Sequence, residues 1–184
     1  MHWTGAWILA LATAFGIAVI LLLLHHTSLG SLIHERIPDR PHRRLLLASV
    51  SFFLTFLSVR TLTFCIHHQV GPFHDISMGG RHIHHLVWGI LILLLVGYSW
   101  LLELGSTGRF GSIVLSRLIS LLYGAGAALT LDEFALWLNL RDVYWAREGR
   151  ASIDAIILFG SLLAIATWGA PLFRGVTHRN KEPA

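Results

Sequence analysis

The chain has 184 residues, of which 54% are hydrophobic and 13% charged, and its mean hydropathy is +0.65. A soluble domain carries about 25% charged residues, so a soluble globular fold is excluded; so are disorder, a collagen-like repeat and a disulfide scaffold, since the single cysteine is Cys65. Cations outnumber acids 14 to 10, but no basic run is long enough for a nucleic-acid surface. The expected partners are anionic membrane lipids, with no nucleic acid.

A membrane-crossing helix needs about 20 mostly apolar residues, and five segments meet that need. The first, 7–24, is uncharged. It lacks the basic start of a signal peptide and its apolar run is too long for one, so it reads as a retained helix. The second, 45–66, holds one charge, Arg60, and the third, 83–104, ends beside Glu103. The fourth, 111–131, is apolar apart from Arg117, and the fifth, 155–173, is closed by Pro171 and Arg174. The expected fold is an all-α integral membrane bundle of five transmembrane helices in a single domain, 1–184. Tryptophans such as Trp88, Trp100, Trp137 and Trp145 fall near the helix ends, where interface anchoring places them.

Positive charge in short connections marks the inner face. Arg36, Arg40, Arg43, Arg44, Arg109, Arg174, Arg179 and Lys181 lie on one side; Arg81, Arg141, Arg147 and Arg150 lie on the other. The N-terminus is therefore expected outside and the C-terminus inside, in the inner (plasma) membrane. Ala6, Ala10, Ala14 and Ala18 form a smooth stripe on the first helix, and residues 124–128 thin the fourth. Such faces allow close backbone approach, either within one bundle or in a homo-oligomer. No internal repeat is present, which disfavours an inverted-repeat transporter.

Of the 12 histidines, His67, His68, His74, His82, His84 and His85 gather on the second connection and its flanking helix ends. The topology puts them on the outer side with Asp132, Glu133, Asp142 and Asp154. If the third helix already includes residue 82, His82 and His85 share a face three residues apart, and His84 points away towards Trp88. Two same-face imidazoles with a carboxylate are a metal-binding arrangement for zinc, or for non-haem iron as second choice. The expected ligands are His74, His82, His85 and Glu133, with Arg60, His84 and Asp75 around them. A hydrogen-bonded network or a proton relay remains open beside the metal site.

Asp132 and Glu133 interrupt a run that is otherwise apolar from 118 to 138 apart from Ser120 and Thr130. An ionisable residue at membrane depth marks a functional site by default. Arg60 lies at similar depth and is the expected partner of one acid; if it does not take Asp132, that residue is the candidate general base. Glu103 and Arg117 are expected to pair at the other end. The amphipathic stretch 139–150 reads as an interfacial segment over the outer mouth, where Tyr144 and Trp145 anchor at headgroups. Ser152 and Asp154 read as the N-cap and first-turn acid of the fifth helix.

The segments SMGGRHIHHLVWGI and LYGAGAALTLDEFALWLNLRDVYW, followed by GRASIDA, resemble a family of small, mainly actinobacterial integral membrane proteins without an assigned activity. The likeness spans roughly residues 50–160, and its HIHH and LDEFALWL elements mark His82, His84, His85, Asp132 and Glu133. It implies a multi-helix membrane fold and no reaction. The chain departs from the HxxxH and HxxHH boxes of membrane hydroxylases and desaturases, which argues against a di-iron hydroxylase. Three readings follow: a metalloprotein, in its enzyme form a hydrolase or oxidase acting on a lipid or isoprenoid; an oligomerising ion or proton conductor or sensor; and a b-type haem protein with His68 and His85 as axial ligands.

Overall fold

The computed structural model describes residues 16–37, 39–70, 77–78, 81–82, 84–106 and 112–168. Seven helices occur among them: α1 (Gly16–His26), α2 (Ser28–Arg36), α3 (Arg40–His67), α4 (His85–Leu101), α5 (Ile113–Asp132), α6 (Phe134–Asn139) and α7 (Arg150–Trp168). The two-residue strands β1 (Ser77–Met78) and β2 (Arg81–His82) pair antiparallel, with Ser77 opposite His82. Helices α3 and α5, and the stretch Arg147–Thr167 that covers nearly all of α7, are long and apolar enough to cross a membrane. The chain is thus helical, with the makings of a membrane bundle. α4 is shorter: its 17 residues reach about 25 Å at 1.5 Å per residue.

Local chemistry sets the helix ends. Pro41 stands in the first turn of α3, where its missing N–H costs nothing, and α3 stops where Gln69 turns left-handed at φ 55°. The hydroxyl of Ser112 caps α5 by accepting from the Leu115 N–H. α5 ends at Asp132 because Glu133 leaves helical geometry, at φ −108° and ψ 23°. The short α6 follows and finishes at Leu140, which is left-handed at φ 51° and doubles the chain back over the bundle end.

α5 is the central helix and packs against α3, α4 and α7. The small residues permit this. A Cβ on Gly124 would stand 2.1 Å from the Ala48 carbonyl oxygen of α3, and one on Gly89 would stand 2.7 Å from the Thr130 nitrogen of α5. The run 124–128 therefore lies inside the bundle, where backbone proximity and dispersion replace the absent hydrophobic drive. Ala6, Ala10 and Ala14 lie outside the described residues, and Ala18 is exposed.

The core holds Phe52, Ala127, Ala128, Ile156 and Leu163. Outward-facing leucines such as Leu57, Leu94, Leu95, Leu158 and Leu162 are each at least 60% exposed, an apolar belt that suits lipid. Between Ser120 and Thr130 the interior is filled by Phe52, Leu121, Ala125 and Ala128, all buried. This apolar middle separates two polar ends. From Arg44 to Arg60 along α3 the distance is about 24 Å.

The expected helix over 83–104 starts two residues later, at His85, and His82 belongs to β2. The helical face proposed to pair His82 with His85 does not form. α2 adds a helical turn system to the connection that composition alone left as a loop. Glu103, left-handed at φ 55°, is exposed; Arg117 instead donates to the Leu24 carbonyl at 3.3 Å. Their expected ion pair is absent among the described residues, because the helical run of α4 ends before Glu103 and releases it to the surface.

Candidate functional site

Four elements meet at the C-terminal end of α5. Asp132 is fully buried, at 0% exposure, and Glu133 is 6% exposed. A buried carboxylate needs partners for every lone pair it can fill, and each acid has several. The Arg60 Nε of α3 contacts Asp132 Oδ1 as an ion pair, though not with linear hydrogen-bond geometry. The Tyr144 hydroxyl donates to Asp132 Oδ2 at 2.8 Å, and His85 Nε2 lies 3.0 Å from the same oxygen. Asp132 is an acceptor on every side.

Glu133 serves α4. Its Oε2 accepts from the Leu86 N–H at 3.0 Å, so it caps a helix whose own N-cap, His84, makes no side-chain cap bond. Its Oε1 lies 2.7 Å from His84 Nδ1 and 3.6 Å from His85 Nδ1. The second distance is an ion-pair separation rather than a hydrogen bond. The two ring nitrogens of His85 thus face different carboxylates, Asp132 and Glu133. The polar chain runs Thr63, Tyr144, Asp132, His85, Glu133, His84, with Thr63 Oγ1 lying 3.0 Å from the Tyr144 hydroxyl.

The segment after α6 closes this end. Tyr144 lays its ring under the Arg60 guanidinium, 4.5 Å from centroid to Cζ. Trp145 stacks on His67 of α3 at 4.3 Å. Burial, and after it the Asp132 charge, push the Tyr144 phenol well above its usual value of 10.0, so this group stays a donor. Asp142 Oδ1 accepts from the Tyr144 N–H at 3.1 Å and shapes the turn that delivers it. Ser152 accepts from the Ala135 N–H at 2.9 Å. It therefore caps α6, not the helix in which it lies, because α7 begins earlier, at Arg150. Asp154 is exposed and apart from the site.

The sequence reading is met unevenly. Arg60, His85, Asp132 and Glu133 come together, and Asp132 is taken by Arg60, the condition under which it was not to be a base. His84 was expected to point away and instead meets Glu133. The reason is local: its backbone is extended, at φ −71° and ψ 141°, so helical facing does not apply to it. His74 and Asp75 lie outside the described residues, as does the side chain of His82. Among the described residues no group of three or more His, Cys, Asp or Glu is disposed to hold a metal ion. Of the two histidines named for a haem, His68 is exposed with its ring 4.3 Å from that of Phe64, and His85 is turned to the carboxylates.

Thr63 and Tyr144 went unnoticed as site residues. Thr63 had a signal, since it follows Arg60 by three positions and so shares its face. Tyr144 had none, because its placement depends on the left-handed turn at Leu140.

Compared with protein-family models, curated proteins and solved structures, the chain matches none. The likeness to small actinobacterial membrane proteins rests on the motif residues alone.

Proposed function

We propose that the chain is a five-span plasma-membrane protein, N-terminus outside and C-terminus inside, whose carboxylate–histidine network forms a proton-responsive latch on the outer face. The carrying observation is the charge balance of the network. Two buried carboxylates stand against one guanidinium, which leaves one negative charge unmatched before the histidines are counted. An unmatched charge at that depth costs several kcal/mol, about the penalty known for buried unpaired ions. An imidazole can supply the compensating proton, and His85 is the one whose two ring nitrogens face both acids. Histidine is the side chain suited to exchanging that proton near neutral pH. His85 and Tyr144 share one acceptor, Asp132 Oδ2, so exchange of that proton is felt by the segment that Tyr144 and Trp145 dock. A sensor fits better than a conductor, since among the described residues the middle is filled by Phe52, Leu121 and Ala125, and its buried hydroxyls, Ser51 and Ser120, are each spent on a helix carbonyl.

The test is ring-labelled tyrosine NMR of the full chain in lipid nanodiscs between pH 5 and 8, with Tyr144→Phe to assign the resonance. The Tyr144 signal is expected to shift with pH in the parent and to stay fixed in His85→Gln. A parent signal that does not move, or one that moves equally in the variant, overturns the latch.

A second reading is favoured by the approach of His84 Nδ1 and His85 Nδ1 to one oxygen of Glu133. On it, these groups with His74 and His82 hold zinc, or less readily iron, in a site acting on a lipid or isoprenoid at the membrane surface. Stoichiometric metal in the purified parent, lost in both His85→Ala and Glu133→Ala, supports it; equal metal in all three rejects it.

A further inference from the structure

The opposite end of the bundle carries a different kind of charge. A cavity of about 430 Å³ opens there, lined by Arg40, Arg43 and Arg44 of α3 and Arg117 of α5, with Leu24 and Leu47 forming an apolar wall. The volume falls within the range of ligand pockets, about 300–1,000 Å³. Arg40 precedes Arg43 and Arg44 by three and four residues, so all three project from one face of the first turns. Arg117 comes from the neighbouring helix.

Two of these guanidiniums, those of Arg44 and Arg117, are held in place by neutral groups. Arg44 donates from Nε to Ser116 Oγ at 2.9 Å and from Nη2 to the Gly105 carbonyl at 2.6 Å. Arg43 donates to the Ile37 carbonyl at 2.9 Å, and Arg117 to that of Leu24 at 3.3 Å. Such bonds fix orientation without cancelling charge. Among the described residues no ion pair joins Arg40, Arg44 or Arg117 to a carboxylate; the pair found at this end is His42 with Asp39. Glu35 is the one acid on the cavity wall.

The helix ends worsen the imbalance. α3 and α5 both start here; α3 has the carboxylate of Asp39 at its N-cap, whereas α5 has only the Ser112 hydroxyl, and neither has an acid further into its first turn. The positive end of a helix macrodipole favours anions and disfavours cations, yet four arginines are placed beside two such ends. A fixed anion resolves the arrangement. Planar guanidinium forks match phosphate oxygens bidentately, and the apolar wall suits a ligand with a hydrocarbon part.

We propose that this cavity is a binding site for a phosphate group, supplied either by an anionic phospholipid headgroup or by free phosphate. The inference stands apart from the latch, since the two sites share no residue.

The experiment is native mass spectrometry of the full chain released from nanodiscs of phosphatidylglycerol or of phosphatidylcholine, followed by titration with inorganic phosphate. The parent is expected to retain phosphatidylglycerol over phosphatidylcholine by about tenfold or more, the scale of one charge-assisted bond. Retention that inorganic phosphate does not displace assigns the lipid source; direct binding of inorganic phosphate that displaces the lipid assigns the free anion. Arg40→Gln with Arg117→Gln should abolish the preference. Arg117→Lys alone should retain part of it. Arg147→Gln, the loss of one charge at the far end, should leave it intact. Equal retention of both lipids without phosphate binding, or a preference lowered as much by Arg147→Gln as by the double variant, overturns the site. The parent's lipid preference needs no variant, so a misfolded substitution does not shield the proposal.

Discussion

The two ends of α5 handle charge in opposite ways. At its C-terminus each acid meets partners: Arg60 and His85 on Asp132, His84 on Glu133, and a tyrosine closing over the top. At its N-terminus Arg44 and Arg117 spend their hydrogen bonds on carbonyls and a hydroxyl and keep their charge facing a cavity. The same residue type therefore plays two parts. Arg60 belongs to the scaffold, because its removal strands a buried acid. Arg117 belongs to a surface, because its removal strands nothing. Both arginines are half-buried; the fully buried acid against Arg60 is what separates the two.

The largest effect should come from Asp132→Ala. It leaves Arg60 with its cation and no anion in a part-buried setting, and the expected loss is about 3–5 kcal/mol, read as a lowered midpoint in thermal unfolding in detergent. A loss below about 1 kcal/mol would place Arg60 in contact with headgroups rather than with the scaffold. Glu133→Gln comes next. The amide can still cap α4 through its oxygen but gives up the charged contact to His84, for about 1–2 kcal/mol.

Tyr144→Phe keeps the ring beneath Arg60 and removes one donor, for about 1 kcal/mol near neutral pH. Its pH dependence has a defined sign. The folded-state phenol is raised above 10.0, so its contribution is complete below that pH and falls away as the pH climbs through the raised value. The stability gap between parent and variant should accordingly be constant from pH 7 to 9 and narrow above about pH 10, measured by unfolding at each pH. A gap that widens in alkali would reverse the assignment of donor and acceptor. The smallest effect belongs to the other end: Arg117→Gln should change stability by no more than about 0.5 kcal/mol while weakening phosphate retention.

Much of this contrast was legible in the residues. Depth along two apolar segments was enough to match Arg60 with one of the pair Asp132 and Glu133, since a cation and an acid at equal depth have few other choices; which of the two it takes needed the backbone. The run 124–128 announced close packing through size alone. What escaped depended on backbone conformation. His84 was misplaced because a helix was assumed to extend over it, whereas it adopts the extended N-cap geometry that swings its ring to Glu133. Tyr144 was read as an anchor because the reversal at Leu140, a left-handed leucine that is 91% exposed, has no compositional cue. Ser152 was assigned to its own helix when its hydroxyl serves the preceding one. Glu103 and Arg117 were matched by depth as Arg60 and Asp132 were, and there the rule failed because one partner sits on a turn.

The carbon-filled waist of the bundle has a consequence for how its faces communicate. Where Phe52, Leu121 and Ala125 fill the middle, the buried Ser51 hydroxyl spends its bond on the Leu121 carbonyl of α5. Gly124 and Gly126 of α5 and Gly89 of α4 seat these helices nearly backbone to backbone. A displacement of that central rod would therefore be handed directly to the helices on either side of it.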